Sequence, residues 1–250
     1  MMLVSKKFIP SLFTILNAFC GLMSIINASN QMFDEACLFI VYAALFDMID
    51  GVAARITKSS SEFGVELDSL SDVISFGAAP SFLLYSIYFK EYNGLGIAIS
   101  SMIMVFSAIR LARFNISLVG FDKDKFTGVP TPMASITLVS YLLMYHNKIF
   151  TSETSKYAIF LLSLGLAFMM VSKFKYITFP KPSWSNAKAN PLLYSGFILA
   201  VILTLLTKGS AVFPLCILYI ISGIIGSIIS LFQRPLSSKP RLNRRHRHRR

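Results

Sequence analysis

Ala36-Cys-Leu-Phe-Ile-Val-Tyr-Ala-Ala-Leu-Phe46 carries no charge and runs straight into Asp47-Met-Ile-Asp50-Gly51-Val-Ala-Ala54-Arg55. The first half belongs in lipid or a protein interior. The second half needs water, a counter-charge or a ligand. A charged helix end fused to an apolar helix is how a membrane segment presents chemistry at the lipid boundary.

Working outward, stretches free of Asp, Glu, Lys and Arg recur along the chain: Phe8 to Phe33, Val73 to Phe89, Tyr92 to Ile109, Phe126 to Asn147, Tyr157 to Ser172, Ala189 to Thr207 and Gly209 to Gln233. With the quoted segment they make eight expected spans at roughly 20 residues each. The second and sixth are short in uncharged length and need charged residues facing a wet cavity or the interface. The predicted fold is therefore all-α and polytopic: a six-helix core within residues 1–180, two further helices in 181–233, and a basic tail at 234–250.

Composition agrees. The 250 residues are 54 % hydrophobic and 14 % charged, where a soluble domain carries about 25 % charged residues. Mean hydropathy is +0.63. These values exclude a disordered chain and an ordinary soluble enzyme. The net charge of +12 is concentrated in Arg241-Leu-Asn-Arg-Arg-His-Arg-His-Arg-Arg250. On a membrane chain such a tail is expected to touch anionic lipid headgroups rather than nucleic acid. Cys20, Cys37 and Cys216 sit in apolar segments without metal spacing, and read as small buried side chains. No small-residue cleavage site follows Lys6 and Lys7, so the first helix is expected to be retained.

Lys and Arg set the orientation. With the N-terminus inside, twenty of the 24 fall on the cytoplasmic side; Lys90, Lys148, Lys156 and Lys208 fall opposite. Both termini are predicted cytoplasmic, in the cell (inner) membrane. The loop Lys173–Pro191 holds Pro180, Pro182 and Trp184. It is the clearest internal boundary, with Trp184 as an interfacial anchor.

The carboxylates carry the chemistry. Asp47 and Asp50 are i,i+3 on the second helix, and Asp68 and Asp72 are i,i+4 on the third, so each pair shares a helical face. A short cytoplasmic turn lets the faces meet. Four ionised carboxylates at the end of an apolar bundle repel one another and need compensating charge. Hard divalent cations with oxygen ligands supply it. Two helices giving four carboxylates suit a two-metal site for in-line phosphoryl displacement. The plain alternative is helix-end carboxylates solvated at the interface. Gly51 removes a side chain beside Asp50, and Gly64 opens the turn into the third helix; both also suit close helix packing.

Asp-x2-Asp-Gly-x2-Ala-Arg-x8-Gly-x3-Asp-x3-Asp, from Asp47 to Asp72, resembles the full signature of the CDP-alcohol phosphotransferase family. Three further segments are similar to the phosphatidylserine synthase branch: Pro10-Ser-Leu-Phe-Thr14-Ile-Leu-Asn17-Ala-Phe-Cys-Gly21, Arg110-Leu-Ala-Arg113-Phe114-Asn115, and Phe126-Thr-Gly128-Val-Pro130-Thr-Pro132. Ser11 stands where that branch often has Asn, and Thr131 where it often has Ser. The likeness covers about residues 8 to 180.

The resemblance implies transfer of a phosphatidyl group from CDP-diacylglycerol to an alcohol, L-serine in this branch, with release of CMP. It implies that Asp47, Asp50, Asp68 and Asp72 hold one or two Mg²⁺ or Mn²⁺ ions, with Asp72 also the general base. Gly51, Arg55 and a hydroxyl near Ser61 would contact the CDP part, with Thr14 and Asn17 as further candidates for that pocket. For Thr14 and Asn17, interhelical hydrogen bonding is the alternative. Arg110 and Arg113 are one turn apart, with Asn115 beside them. They suit an anionic partner, the serine carboxylate or the lipid phosphate; positive-inside anchoring is the other reading. The family also implies a homodimer, and Ser222-x-x-x-Gly226 and Gly223-x-x-x-Ser227 offer small-residue packing within or between chains. Two rival functions stay open: a phosphorylated or choline acceptor in the same family, for which Lys123 and Lys125 could supply basic side chains, and a cation-coupled transporter.

Overall fold

The computed structural model describes residues 8–57, 61–119, 127–146, 148–174, 176 and 191–232. Lys6, Lys7, Lys58, Lys123, Lys125, Trp184 and the basic tail lie outside them. Among the described residues every element is helical, and the isolated bridge between His146 and Phe150 belongs to no strand.

α1 (Phe8–Ser29) and α2 (Phe33–Thr57) form an antiparallel hairpin that packs along its length. The reversal is tight: Gln31 takes φ 62°, and Met32 N–H donates to the Asn27 carbonyl at 2.9 Å. Asp34 and Glu35 stand in the first turn of α2 and Arg55 in its last, each matching the sign of the helix dipole there.

α3 (Glu62–Asp72) begins at Ser61, whose Oγ accepts from Gly64 N–H at 3.1 Å. That contact satisfies one of the donors a helix start leaves open. The helical course then continues without a gap through a π-helical turn at Val73–Ala78, α4 (Ala79–Leu84), a second π turn at Tyr85–Phe89 and a 3₁₀ turn at Lys90–Tyr92, into α5 (Asn93–Val119). The chain reverses at the 3₁₀ turn, where Asn93 has φ 48°. Contacts up the two limbs establish the antiparallel course: a Cβ on Gly96 would sit 1.9 Å from the Phe89 carbonyl oxygen, Met104 N–H donates to Ser81 Oγ at 3.0 Å, Gly77 lies against Ser107, and Ser69 bonds Asn115.

α6 (Thr131–Met144) starts on two prolines, and α7 (Ser152–Val171) is capped by Thr151. Gly128 takes φ 82°, and a Cβ there would lie 2.1 Å from the Met170 carbonyl oxygen, so glycine is required. Through it the chain before α6 is tied to the end of α7: Gly128 N–H donates to Phe174 O at 2.8 Å and Val129 N–H to Met169 O at 3.1 Å. α8 (Pro191–Leu206) and α9 (Val212–Phe232) close the described chain. α9 packs on α6.

Among the described residues five stretches are long and apolar enough to cross a membrane: Pro10–Ser29, Phe33–Ile56, Glu62–Ile116, Ser152–Val171 and Val212–Ser230. Thr131–Met144 and Tyr194–Leu206 are shorter apolar helices. The expected third and fourth spans are the two limbs of the 55-residue stretch Glu62–Ile116. α3 starts eleven residues before Val73 because charge-free length stops at Asp72, whereas the helix carries Glu62, Glu66, Asp68 and Asp72 along one limb. The core lies between the limbs, where Ile40, Phe76, Leu83, Leu138 and Tyr141 are buried. Small polar side chains share it, with Ser24, Ser107, Ser135 and Ser163 fully buried, as close helix packing in lipid favours. Large apolar residues elsewhere face outward, among them Leu95 at 72 % and Leu206 at 76 % exposure. In water such a surface would aggregate; in a bilayer it is the required exterior.

Candidate active site

The predicted faces meet. One carboxylate oxygen from each of Asp47, Asp50 and Asp68 lies within 4.8 Å of the other two. Asp72, one turn beyond Asp68, is buried and stands outside that trio. Asp68 Oδ1 is buried and has no hydrogen-bond donor. Like charges this close and this dry cannot all persist without an external cation or bound protons.

α1 supplies the polar wall. The Thr14 hydroxyl reaches both the Pro10 carbonyl (3.1 Å) and Asp50 Oδ2 (3.0 Å). Asn17, fully buried, donates from Nδ2 to Asp72 Oδ1 at 3.2 Å. The two predicted polar residues of α1 thus each grip a carboxylate of the site, and the interhelical hydrogen bonds expected as the alternative are these same bonds.

The π turn after Asp72 fixes that register. A π turn leaves carbonyls without their usual helical donors. Ser135 of α6 donates to the Phe76 carbonyl at 2.6 Å, and Ser75 donates back to the Asn17 carbonyl at 2.8 Å. Gly21 makes the approach possible, since a Cβ there would sit 2.8 Å from Ser75 Cα. Ser75, Ser135 and Gly21 had no assigned role in the sequence reading. A π turn has no single-sequence signature, so nothing in the residue pattern marked them.

A cleft of about 130 Å³ opens beside the trio, walled by Pro10, Thr14, Asp50, Gly51, Ser61 and Asp68 among others. Gly51 has nothing within 4 Å of where its Cβ would be, so a bulky group can lie against α2 there. Ser61 lines the cleft and is also the cap of α3. Arg55 is exposed, one position past the lining residue Ala54, and is not itself in the wall.

The other basic residues divide. Arg110 is partly buried, with Nε lacking an acceptor, and lies within electrostatic reach of Asp72 and of Tyr219 on α9. Arg113 is exposed and turns away: its Nη1 donates to the Val171 carbonyl at 2.8 Å, closing the C-terminal end of α7. Asn115 ties α5 to α3, donating to Ser69 Oγ at 3.0 Å and accepting from the same hydroxyl at 3.2 Å. Arg110 thus lies within electrostatic reach of Asp72, whereas Arg113 and Asn115 have bonds of their own. Tyr219, within electrostatic reach of Arg110, stands with its ring 5.6 Å from that of Tyr176, a pairing that sequence patterning did not reveal. Gly223 packs on Tyr176 of the same chain.

Residues 7–171 match the CDP-alcohol phosphatidyltransferase family. The chain belongs to that family. The match spans α1 to α7 and leaves α8 and α9 outside it. A Helicobacter pylori protein named CDP-diacylglycerol–serine O-phosphatidyltransferase is 41 % identical over 180 residues, 70 % of this chain and 74 % of the relative. A Bacillus subtilis protein of the same name is 33 % identical over 186 residues, 73 % of this chain and 97 % of the relative. An archaetidylserine synthase of Methanothermobacter thermautotrophicus is 38 % identical over 170 residues, 67 % of this chain and 69 % of the relative.

Proposed function

We propose that this chain transfers the phosphatidyl group of CDP-diacylglycerol to the hydroxyl of L-serine, giving phosphatidylserine and CMP. The observation that carries the reading is the convergence of Asp47, Asp50 and Asp68 oxygens beside a cleft walled by Thr14 and Gly51. Serine as acceptor rests on the names borne by relatives at 33–41 % identity.

The donor set fits a hard divalent cation: it offers only carboxylate oxygens, and Asp68 keeps a buried oxygen without a donor. Asp47, Asp50, Asp68 and Asp72 would hold one or two Mg²⁺ or Mn²⁺ ions. When bound, such ions neutralise charge on the pyrophosphate and on departing CMP. Thr14 orients Asp50, while Asn17 holds one oxygen of Asp72 and leaves the other for a proton.

As the serine oxygen bonds to the phosphatidyl phosphorus, its hydroxyl proton passes to Asp72. The bond from that phosphorus to the bridging oxygen breaks, and the electron pair leaves with CMP. Gly51, with Arg55 and Ser61, receives the CDP part; Ser61 does so from its capping position. Arg110 takes the serine carboxylate or the lipid phosphate, and Arg113 and Asn115 hold α5 in place behind it. We place the catalytic core on α1 to α7, the site on the cytoplasmic side of the cell membrane, the basic tail against anionic lipid, and the chain in a homodimer.

The test is acceptor choice. Membranes carrying the protein are given CDP-diacylglycerol with labelled L-serine, glycerol 3-phosphate, inositol phosphate or choline in parallel. Label entering lipid from serine, with equimolar CMP release, is the expected result. Label entering from another acceptor instead would reassign the substrate within the family. Metal-dependent ion flux without CMP would remove the enzyme reading.

A further inference from the structure

The far end of the 62–119 hairpin holds a second polar cleft, of about 410 Å³. Lys90 lies 18 positions past Asp72 on one helical course, roughly 27 Å at helical rise, so this cleft is separate from the carboxylate site. Lys90, Glu91, Glu153 and Lys156 line it, with Tyr88 and His146 also in its wall. The Tyr88 hydroxyl and His146 Nδ1 meet at 2.5 Å, joining the hairpin to the chain after α6, and Tyr88 is 6 % exposed. Lys90, Lys156, Glu91 and Glu153 give the wall two cations and two anions.

A groove of about 420 Å³ adjoins it and shares Glu153 and Lys156. Its remaining lining is Phe89, Tyr92, Leu95, Ile99, Tyr157 and Phe160. Leu95 and Tyr157 are 72 % and 73 % exposed on helices of membrane-crossing length, so the groove faces acyl chains. Lys156 Nζ stands 5.1 Å from the Tyr92 ring centroid, at the junction of cleft and groove.

We propose that this paired cleft and groove binds a phospholipid whose headgroup carries both a phosphate and a primary ammonium. Lys156 and Lys90 meet the phosphate, Glu153 and Glu91 accept from the ammonium, and one acyl chain lies along Tyr92, Leu95 and Phe160. A purely anionic headgroup would satisfy the lysines and face two glutamates unpaired. The charge pattern thus selects the zwitterion.

The test is binding of dioleoyl phosphatidylethanolamine by the full purified chain in detergent, read by native mass spectrometry. Dioleoyl phosphatidylglycerol is the comparison, and Glu153→Gln and Lys156→Gln are the variants. Wild type should hold the ethanolamine lipid about tenfold more tightly than the glycerol lipid, the scale of one charge-assisted hydrogen bond. Glu153→Gln should erase that preference by weakening the ethanolamine lipid and, with one unpaired carboxylate gone, holding the glycerol lipid at least as tightly as wild type does; Lys156→Gln should weaken both. CMP release by each variant, which lies far from the carboxylates, should stay at the wild-type rate and certifies the fold. Equal binding of the two lipids by wild type would overturn the proposal. So would lipid binding untouched by both substitutions, as expected if a second copy of the chain covers the groove.

Discussion

The two ends of the 62–119 hairpin pose opposite electrostatic problems. At the α3 end Asp68 and Asp72 join Asp47 and Asp50, so four like charges share one dry region, with Arg110 the described cation in electrostatic reach of Asp72. At the Lys90–Tyr92 end lysines and glutamates share a cleft. The first arrangement needs an external cation or bound protons to persist. The second is neutral within itself. Charge placed to require a partner marks a catalytic site more firmly than charge that merely faces water.

The largest effects should follow from breaking the carboxylate end. Asp72→Asn keeps size and the Asn17 neighbour but cannot take a proton; kcat should fall by about 10²-fold or more, with CDP-lipid binding largely kept. Single-turnover CMP release checks this, and a near-wild-type rate would remove Asp72 as the base. Asp47→Ala should abolish turnover or raise the metal concentration needed for half-maximal rate, read by Mg²⁺ and Mn²⁺ titration.

A smaller effect is expected from the supports. Gly21→Ala puts a Cβ against Ser75 backbone, which should cost about 1–3 kcal/mol of stability as overpacking does. Because Ser75 follows the Asp72 turn, kcat should drop with Tm. Thermal melting and CMP release on the same preparation test the pairing; a drop in Tm alone would separate the π turn from the site.

The smallest effects separate the two arginines. Arg110→Lys loses the bidentate grip on a carboxylate or phosphate and should raise the apparent serine KM with little change for the lipid. Arg113→Lys should leave both KM values near wild type, since Arg113 is spent on the Val171 carbonyl. Were the lipid KM to move in Arg110→Lys while serine KM held, Arg110 would belong to the lipid phosphate.

Much of the site was readable from spacing. Helical periodicity places Asp47 with Asp50 and Asp68 with Asp72 whatever the tertiary fold, and the short connection leaves the two faces little choice but to meet. Thr14 and Asn17 were visible as polar residues on an apolar helix, but which carboxylate each would grip depends on the α1–α3 register. That register is set by Gly21, Ser75 and a π turn that no pattern announces. Arg110 and Arg113 look equivalent in sequence; one helical turn separates a residue facing Asp72 from one facing α7. Charge-free length located the five stretches of membrane-crossing length and the two shorter apolar helices, yet clipped α3, because a helix that carries its charges to one end continues past them. Tyr176 and Tyr219, whose rings pair, are 43 positions apart in sequence, beyond the reach of local patterning.

The central claim is that the carboxylates of α2 and α3 act by holding a divalent cation while serine attacks. Its most direct test is CMP release from CDP-diacylglycerol and L-serine by protein stripped with EDTA and dialysed. Release should be abolished, and added Mg²⁺ or Mn²⁺ should restore it in wild type but not in Asp47→Ala at the same concentration. Full serine-dependent CMP release from the metal-free protein would contradict the claim.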